Sequence, residues 1–467
     1  MKRNRLFVRW CSAFLACVLI CFTSRAQDKS YVLKGTVVTP TKVIANGSVL
    51  VVGNKIKMVG PDVAVPQGTP IVDTGGIILP GFIDLHNHLT WNLFPRWKPG
   101  RLFANRYEWQ QIPAYGVALS TPHAKLYTDN LGCQMNRYAE VKAITQGETS
   151  VVGTLSPAQK CIEGLARNLD FYSGFYAPGS IGIEKLRYEI FPLELDAPTT
   201  TQINLALDNH DLTSFIVHLA EGSPTDASSA REFKMFAARG FLRGGVSIIH
   251  GVALKDADFH QMATNSVGLI WSPRSNIELY GATTDVASAA KEHVKIALSP
   301  DWSPSGSDGM MDELVYAATW NAGQKPPLFS DENLFRMATE IPAQLAGVGD
   351  KIGAVSAGYF ADLIVIDGMG PAKDAYYSAA HSHPVNLRLV VIDGEPVYGS
   401  PGLMATLLPS QALETIDICG TPKAISFDSE YRLQGSAPPS WQQTLHELRG
   451  ALSEWGAALA PLDECLE

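Results

Sequence analysis

Beyond its first 26 residues, this chain of 467 has no apolar run long enough to cross a bilayer as a helix. It has no His-Glu-x-x-His pattern and no H-x-E with P-C-x-x-C, which removes the helical zinc proteases and the cysteine-ligated deaminases. No two cysteines stand at the close spacing that structural zinc sites use. Basic residues are outnumbered, 37 against 46 acidic, so nucleic acid is a poor candidate partner and a small molecule the better one.

The first 26 residues differ from the rest. "MKRNRLFVRW" carries Lys2, Arg3, Arg5 and Arg9 without an acid, "CSAFLACVLICF" is a short apolar core, and Ser24 and Ala26 supply small residues. This is the pattern of a secretory signal cut after Ala26, which predicts no stable membrane anchor and a mature protein in the periplasm or outside the cell; a retained anchor is the alternative reading. With Arg25, the leader takes five basic residues, so 32 remain against 46 acidic, a net charge of −14. Cys133, Cys161, Cys419 and Cys465 also remain; in an exported protein the economical pairings are Cys133–Cys161 and Cys419–Cys465.

The organisation expected from the pattern is a leader at 1–26, β-rich flanks at 27–78 and 355–400, a barrel at 79–354 and an extension at 401–467. The flanks read as short strands with turns at Gly53-Asn54 and Asp393-Gly394 and should meet as one small β-sandwich. Between them, eight apolar runs alternate with helical patterns, which predicts an α/β chain folded as a (β/α)₈ TIM-type barrel. The strands expected are "GFIDLHNH", "TSVVGT", "LDFYSG", "YEIFPLEL", "SFIVHLAE", "VSIIHG", "VGLIWSP" and "VKIALSPD". The connection from Leu89 to Gly147 is long for such a unit and should lie over the barrel mouth. In the extension, Trp441, Leu445, Leu448, Leu452, Trp455 and Leu459 form one helical apolar stripe.

Polar residues stand where these runs end: His86 and His88 in "GFIDLHNHL", His218 and Glu221 in "SFIVHLAEG", His250 in "VSIIHG", and Asp301 in "IALSPDW". Strand C-termini are where such barrels carry their chemistry. Three imidazoles and a carboxylate suit zinc, with a position left for a water that the metal acidifies. Glu221, just past His218, is placed to move a proton to a leaving nitrogen.

These stretches, with "WSPRSNIEL" and "IGAVSAGYFADLIVID", resemble the ordered signatures of the amidohydrolase superfamily over Tyr31 to Gly399. The nearest resemblance is to its mononuclear branch of triazine hydrolases, cytosine and guanine deaminases and imidazolonepropionases. The resemblance implies one divalent ion, zinc before iron or manganese, on His86, His88, His218 and Asp301. It makes Asp301 a proton acceptor as well, Glu221 the shuttle and His250 an orienting group. Trp271, Asn276 and Trp302, within or beside these motifs, are the candidate substrate contacts. "LSPDW" replaces the usual Gly-Thr-Asp, and Trp271 stands where many such proteins carry His, so substrate preference does not transfer. The expected activity is cleavage of a carbon–nitrogen bond, other than a standard peptide bond, in a small cyclic amide or amidine. A binuclear dipeptidase or amidase, in which Lys185 would matter, and a non-catalytic periplasmic binding protein are the alternatives. A homo-oligomer is left open.

Overall fold

The computed structural model describes residues 29–153, 165–170, 185–370, 374–428 and 439–465. The expected leader, 1–26, lies outside the described residues.

The N-terminal flank forms β1 (Ser30–Val38), β2 (Val43–Val52), β3 (Lys55–Gly60) and β4 (Ile71–Pro80). Eight strands follow: β5 (Phe82–Asp84), β6 (Glu148–Val151), β7 (Arg167–Asn168), β8 (Leu186–Glu189), β9 (Ser214–Leu219), β10 (Val246–His250), β11 (Gly268–Trp271) and β12 (Ile296–Leu298). The chain ends with β13 (Leu363–Ile366), β14 (Leu387–Ile392), β15 (Glu395–Gly399), β16 (Glu414–Ile418), β17 (Thr421–Ile425) and a helix over Trp441–Glu454.

The flanks meet in one nine-stranded sheet of order β16-β17-β15-β14-β13-β4-β1-β2-β3. The seam is β4 against β13, antiparallel, with Ile78 opposite Val365 and Leu79 opposite Ile364. The ladders define a single sheet where the sequence suggests a sandwich. Nor does the sheet stop at Gly399. β17 pairs with β15, so part of the extension is an edge hairpin whose turn uses Cys419 and Gly420 at positive φ. The terminal helix buries Trp441, Thr444, Leu448 and Leu452, and its Trp441 stacks on Tyr138. It ends before Trp455, which is exposed.

The central strands are all parallel and form two ladders, β5-β6-β7 and β12-β11-β10-β9-β8. Their side chains are nearly continuously apolar and buried, as in β9 and β10, because both faces are covered. Asn87 bridges Asp301 between β5 and β12, with the Asp301 N–H donating to His86 O at 3.1 Å. β7 and β8 are not paired among the described residues. The fourth strand starts two residues ahead of the apolar run that announces it, and β7 ends at Asn168, ahead of "LDFYSG", of which residues 171–174 lie outside the described residues. β7 holds a buried Arg167 whose guanidinium pairs with Asp362 at 3.0 Å, so its inward residue is charged and leaves no apolar mark.

The insertion between β5 and β6 is helical, over Arg106–Gln110, Thr121–Thr128 and Gly132–Thr145. The ends of β5 and β6 approach closely: a Cβ on Gly153 (φ +91°) would lie 1.7 Å from Asn87 O, just where β5 delivers its histidines.

Candidate active site

Every residue of the expected ligand set arrives at the C-terminal end of a parallel strand. His86 and His88 follow β5, His218 lies in β9, His250 ends β10 and Asp301 follows β12. His250 and Asp301 take φ of +66° and +71°, the left-handed region that costs a non-glycine residue about 1–3 kcal/mol. The chain accepts that strain where it turns these side chains into a common space.

Asp301 Oδ1 lies 3.1 Å from His86 Nε2 and 3.4 Å from His88 Nε2. The His218 ring is 4.8 Å from that of His86 and 5.3 Å from those of His88 and His250. His86 Nε2, both His218 nitrogens and Asp301 Oδ1 are buried without a hydrogen bond. Unpaired buried polar atoms are costly, and those of His86, His218 and Asp301, three residues around one space, fit a cation. Burial pushes His86 down to about 3 and His88 to about 4, and lowers His218 and His250 as well, so the imidazoles stay neutral, the form that binds metal.

A further set of contacts aims these groups. His86 Nδ1 and Ser272 Oγ are hydrogen-bonded at 2.7 Å, which holds the ring with Nε2 toward Asp301, and the Ser275 hydroxyl donates to Asp301 Oδ2 at 2.5 Å. His250 Nδ1 donates to Asn276 Oδ1 at 2.8 Å, which turns Nε2 toward Glu221 Oε2 at 3.6 Å. Glu221 is 5% exposed; burial raises its carboxyl, with His250, Arg106 and the Tyr280 hydroxyl pulling the other way. Arg106, from the insertion, lies 3.8 Å from Glu221 and donates to Ile190 O at 2.8 Å.

Beside this cluster is a cavity of about 350 Å³, lined by Glu221, His250, Asp301 and Trp302 together with Trp91, Trp109 and Tyr115 of the insertion. Of the three candidate substrate contacts, Trp302 alone lines it. Trp271 is a correction: it is fully buried, its indole N–H donates to Thr283 Oγ1 at 2.7 Å, and it packs on Trp320 and Phe329. It is a core residue because β11 turns it away from the mouth. Asn276 is buried and acts on His250 rather than on the cavity. Lys185, the residue a binuclear site would need, is exposed and precedes β8, at the strand end opposite the ligands. Tyr280, Arg106 and Trp109 escaped the sequence reading because each acts through a contact tens of residues away; Ser272 and Ser275 stood inside "SPRSN" with no chemical mark of their own.

Residues 196–397, which hold His218, Glu221, His250 and Asp301, match the family model described as the amidohydrolase family. Over that span the chain is similar to the amidohydrolase family. It is a hydrolase of carbon–nitrogen bonds other than peptide bonds. Among its relatives, a 5-methylthioadenosine/S-adenosylhomocysteine deaminase of Syntrophobacter fumaroxidans is 27% identical over 69% of this chain and 80% of its own. An adenosine deaminase of Xanthomonas campestris, solved with bound zinc, superposes with a TM-score of 0.65 at 15% identity, over 91% of this chain and 98% of its own. Atrazine chlorohydrolase of Arthrobacter aurescens, complexed with zinc, gives 0.63 at 16%, over 79% and 95%. At such identities the superpositions speak for the fold, a TIM-type barrel.

Proposed function

We propose that this hydrolase is an exported, zinc-dependent enzyme that removes an exocyclic amine from, or opens a ring amide in, a small cyclic substrate. One observation carries the reading: unpartnered ligand atoms on His86, His218 and Asp301 stand beside a pocket that also holds Glu221, a buried carboxyl whose pKa burial raises. His86, His88, His218 and Asp301 would hold the ion. The donor set favours zinc, while iron(II) and manganese(II) accept the same donors. When bound, the ion supplies a Lewis acid and lowers the pKa of water toward about 7.

The remaining work falls to the chain. Glu221, its Oε1 occupied by the Tyr280 hydroxyl at 2.6 Å, offers Oε2 to the cavity. A carboxyl raised by burial holds a proton closer to neutral pH and can deliver it to the leaving nitrogen. The His250 ring, held by Asn276, faces that same oxygen and orients what binds between them. Export is supported by the leader pattern and by the Cys419–Cys465 disulfide. No helix among the described residues is long and apolar enough to cross a membrane.

The test is to assay the zinc-loaded mature protein against cyclic amides, aminated nucleobases and triazines, and dipeptides, following ammonia release and ring opening. Turnover of a ring substrate is the expected result. Hydrolysis of dipeptides alone would replace the reading with the amidase alternative, and full zinc loading without turnover of any compound would favour a binding protein.

A further inference from the structure

The candidate ligands come from two separate ladders. His86 and His88 follow β5, in the ladder β5-β6-β7, whereas His218 lies in β9 and Asp301 follows β12, in the other. On one side the ladders are joined: Asn87 bridges Asp301, and the Leu85 N–H donates to Ser299 Oγ at 3.1 Å. On the other side, β7 and β8 are not paired among the described residues. Tyr188, in β8, spans the barrel interior from that side. Its hydroxyl donates to Asn87 O at 3.2 Å, the carbonyl that stands between His86 and His88. The Asn87 side chain is itself fixed at both ends, Nδ2 donating to Asp84 Oδ2 at 2.5 Å and Oδ1 accepting from Asn92 Nδ2 at 2.9 Å. The Tyr188 ring packs against the interior cluster that contains Leu85, Ile216 and Ile249. It meets the rings of His218 and His88 edge to face, with centroids 5.6 and 6.5 Å away.

His218 is the ligand that depends most on such a neighbour. His86 is hydrogen-bonded through Nδ1 to Ser272 and Asp301 through Oδ2 to Ser275, but neither nitrogen of His218 has a hydrogen bond. A ligating imidazole is ordinarily oriented by a bond at its second nitrogen. Packing has that task here, and outside the imidazoles of the site the ring that meets His218 is Tyr188. We infer that Tyr188 is a positioning residue of the metal site, a brace whose ring stands against the His218 arm while its hydroxyl holds the β5 arm. The two halves of the ligand set are thereby spaced before an ion arrives, and less affinity is lost to ordering them. The inference rests on the reading of His86, His88, His218 and Asp301 as ligands and adds a residue that supplies no ligand atom.

The test titrates zinc into the full mature chain in competition with a chromophoric chelator, for the parent, Tyr188→Phe and Tyr31→Phe. Tyr31 is the matched case, because its hydroxyl donates to Gly394 O at 3.0 Å, a bond of the same kind at the nine-stranded sheet. Tyr188→Phe keeps the ring and cuts the link to Asn87. It should weaken zinc about 5- to 10-fold, the worth of one neutral hydrogen bond, while Tyr31→Phe binds zinc as the parent does. Parent-like affinity in Tyr188→Phe overturns the inference and leaves the ligand reading standing. Equal weakening in Tyr31→Phe overturns it too, since the effect would then be one of general stability. A parent that takes up no divalent ion removes the ligand reading itself, and the brace with it.

Discussion

The Tyr280 hydroxyl donates to Glu221 Oε1 at 2.6 Å while accepting from Trp109 Nε1 at 2.9 Å. The carboxyl assigned to proton transfer is thereby tied to the aromatic wall of the insertion. One of its oxygens is held and the other faces His250.

Glu221→Gln keeps the shape of the side chain and cannot deliver the proton. It should retain metal and bind substrate nearly as the parent does, while kcat falls about 10²- to 10⁴-fold. Tyr280→Phe frees Oε1 and should lower kcat by about 10-fold, the worth of one hydrogen bond to a charged group, with little change in KM. Steady-state kinetics on the identified substrate, alongside zinc analysis, decide both; Glu221→Gln at the parent rate removes Glu221 from the mechanism.

Metal content should be one equivalent per chain. His218→Ala deletes a ligand with no other partner and should lose metal and activity together. Lys185→Ala, at the far end of β8, should change neither. Elemental analysis returning two equivalents, one of them lost with Lys185, would restore the binuclear alternative.

The Cys419–Cys465 disulfide, spanning 46 residues, fastens the chain end to the edge hairpin of the sheet. That end reaches the active-site insertion and the loop after β12: Ala460 N–H donates to Leu93 O at 2.8 Å, Arg96 pairs with Glu464 at 2.9 Å, and Glu464 N–H donates to Asp308 Oδ2 at 2.8 Å. Replacing both cysteines by serine should cost about 2–4 kcal/mol in urea unfolding. Cys133 is also disulfide-bonded, and its expected partner Cys161 lies outside the described residues. Thiol titration of the unfolded, unreduced chain should therefore find none free.

Stability should fall between about pH 5 and 8 through Glu313. This carboxyl is fully buried against Ser307 and the Arg274 N–H, and burial pushes it up to about 8. An unfolded glutamate releases its proton near 4.3, so between the two values the folded chain binds a proton that the unfolded chain has lost. The contribution is complete below about pH 4, declines by at most about 1.4 kcal/mol per pH unit, and is gone above about pH 8. Urea unfolding at stepped pH measures it, and Glu313→Gln should flatten that part of the profile; an unchanged slope would assign it elsewhere.

By itself, the amino-acid sequence determined the parallel strands around the site and the groups at their ends. Each of those features is local: an apolar run such as "SFIVH" or "VSIIH" forms a strand buried on both faces, and the alternation of side chains puts His86 and His88 on one side. The turns at Gly53-Asn54 and Asp393-Gly394 were legible for the same reason. Tertiary structure decided what depends on partners far along the chain. It sent Trp271 into the core and Trp302 into the cavity, although both stand at strand ends, because β11 and the loop after β12 meet different neighbours. It started β7 at Arg167, whose charge conceals a strand until Asp362 pairs with it. It brought Tyr280, 59 residues away, onto Glu221. A hydrogen bond across that separation leaves no period or spacing to read, because it is set by how two packed elements meet and not by either element alone.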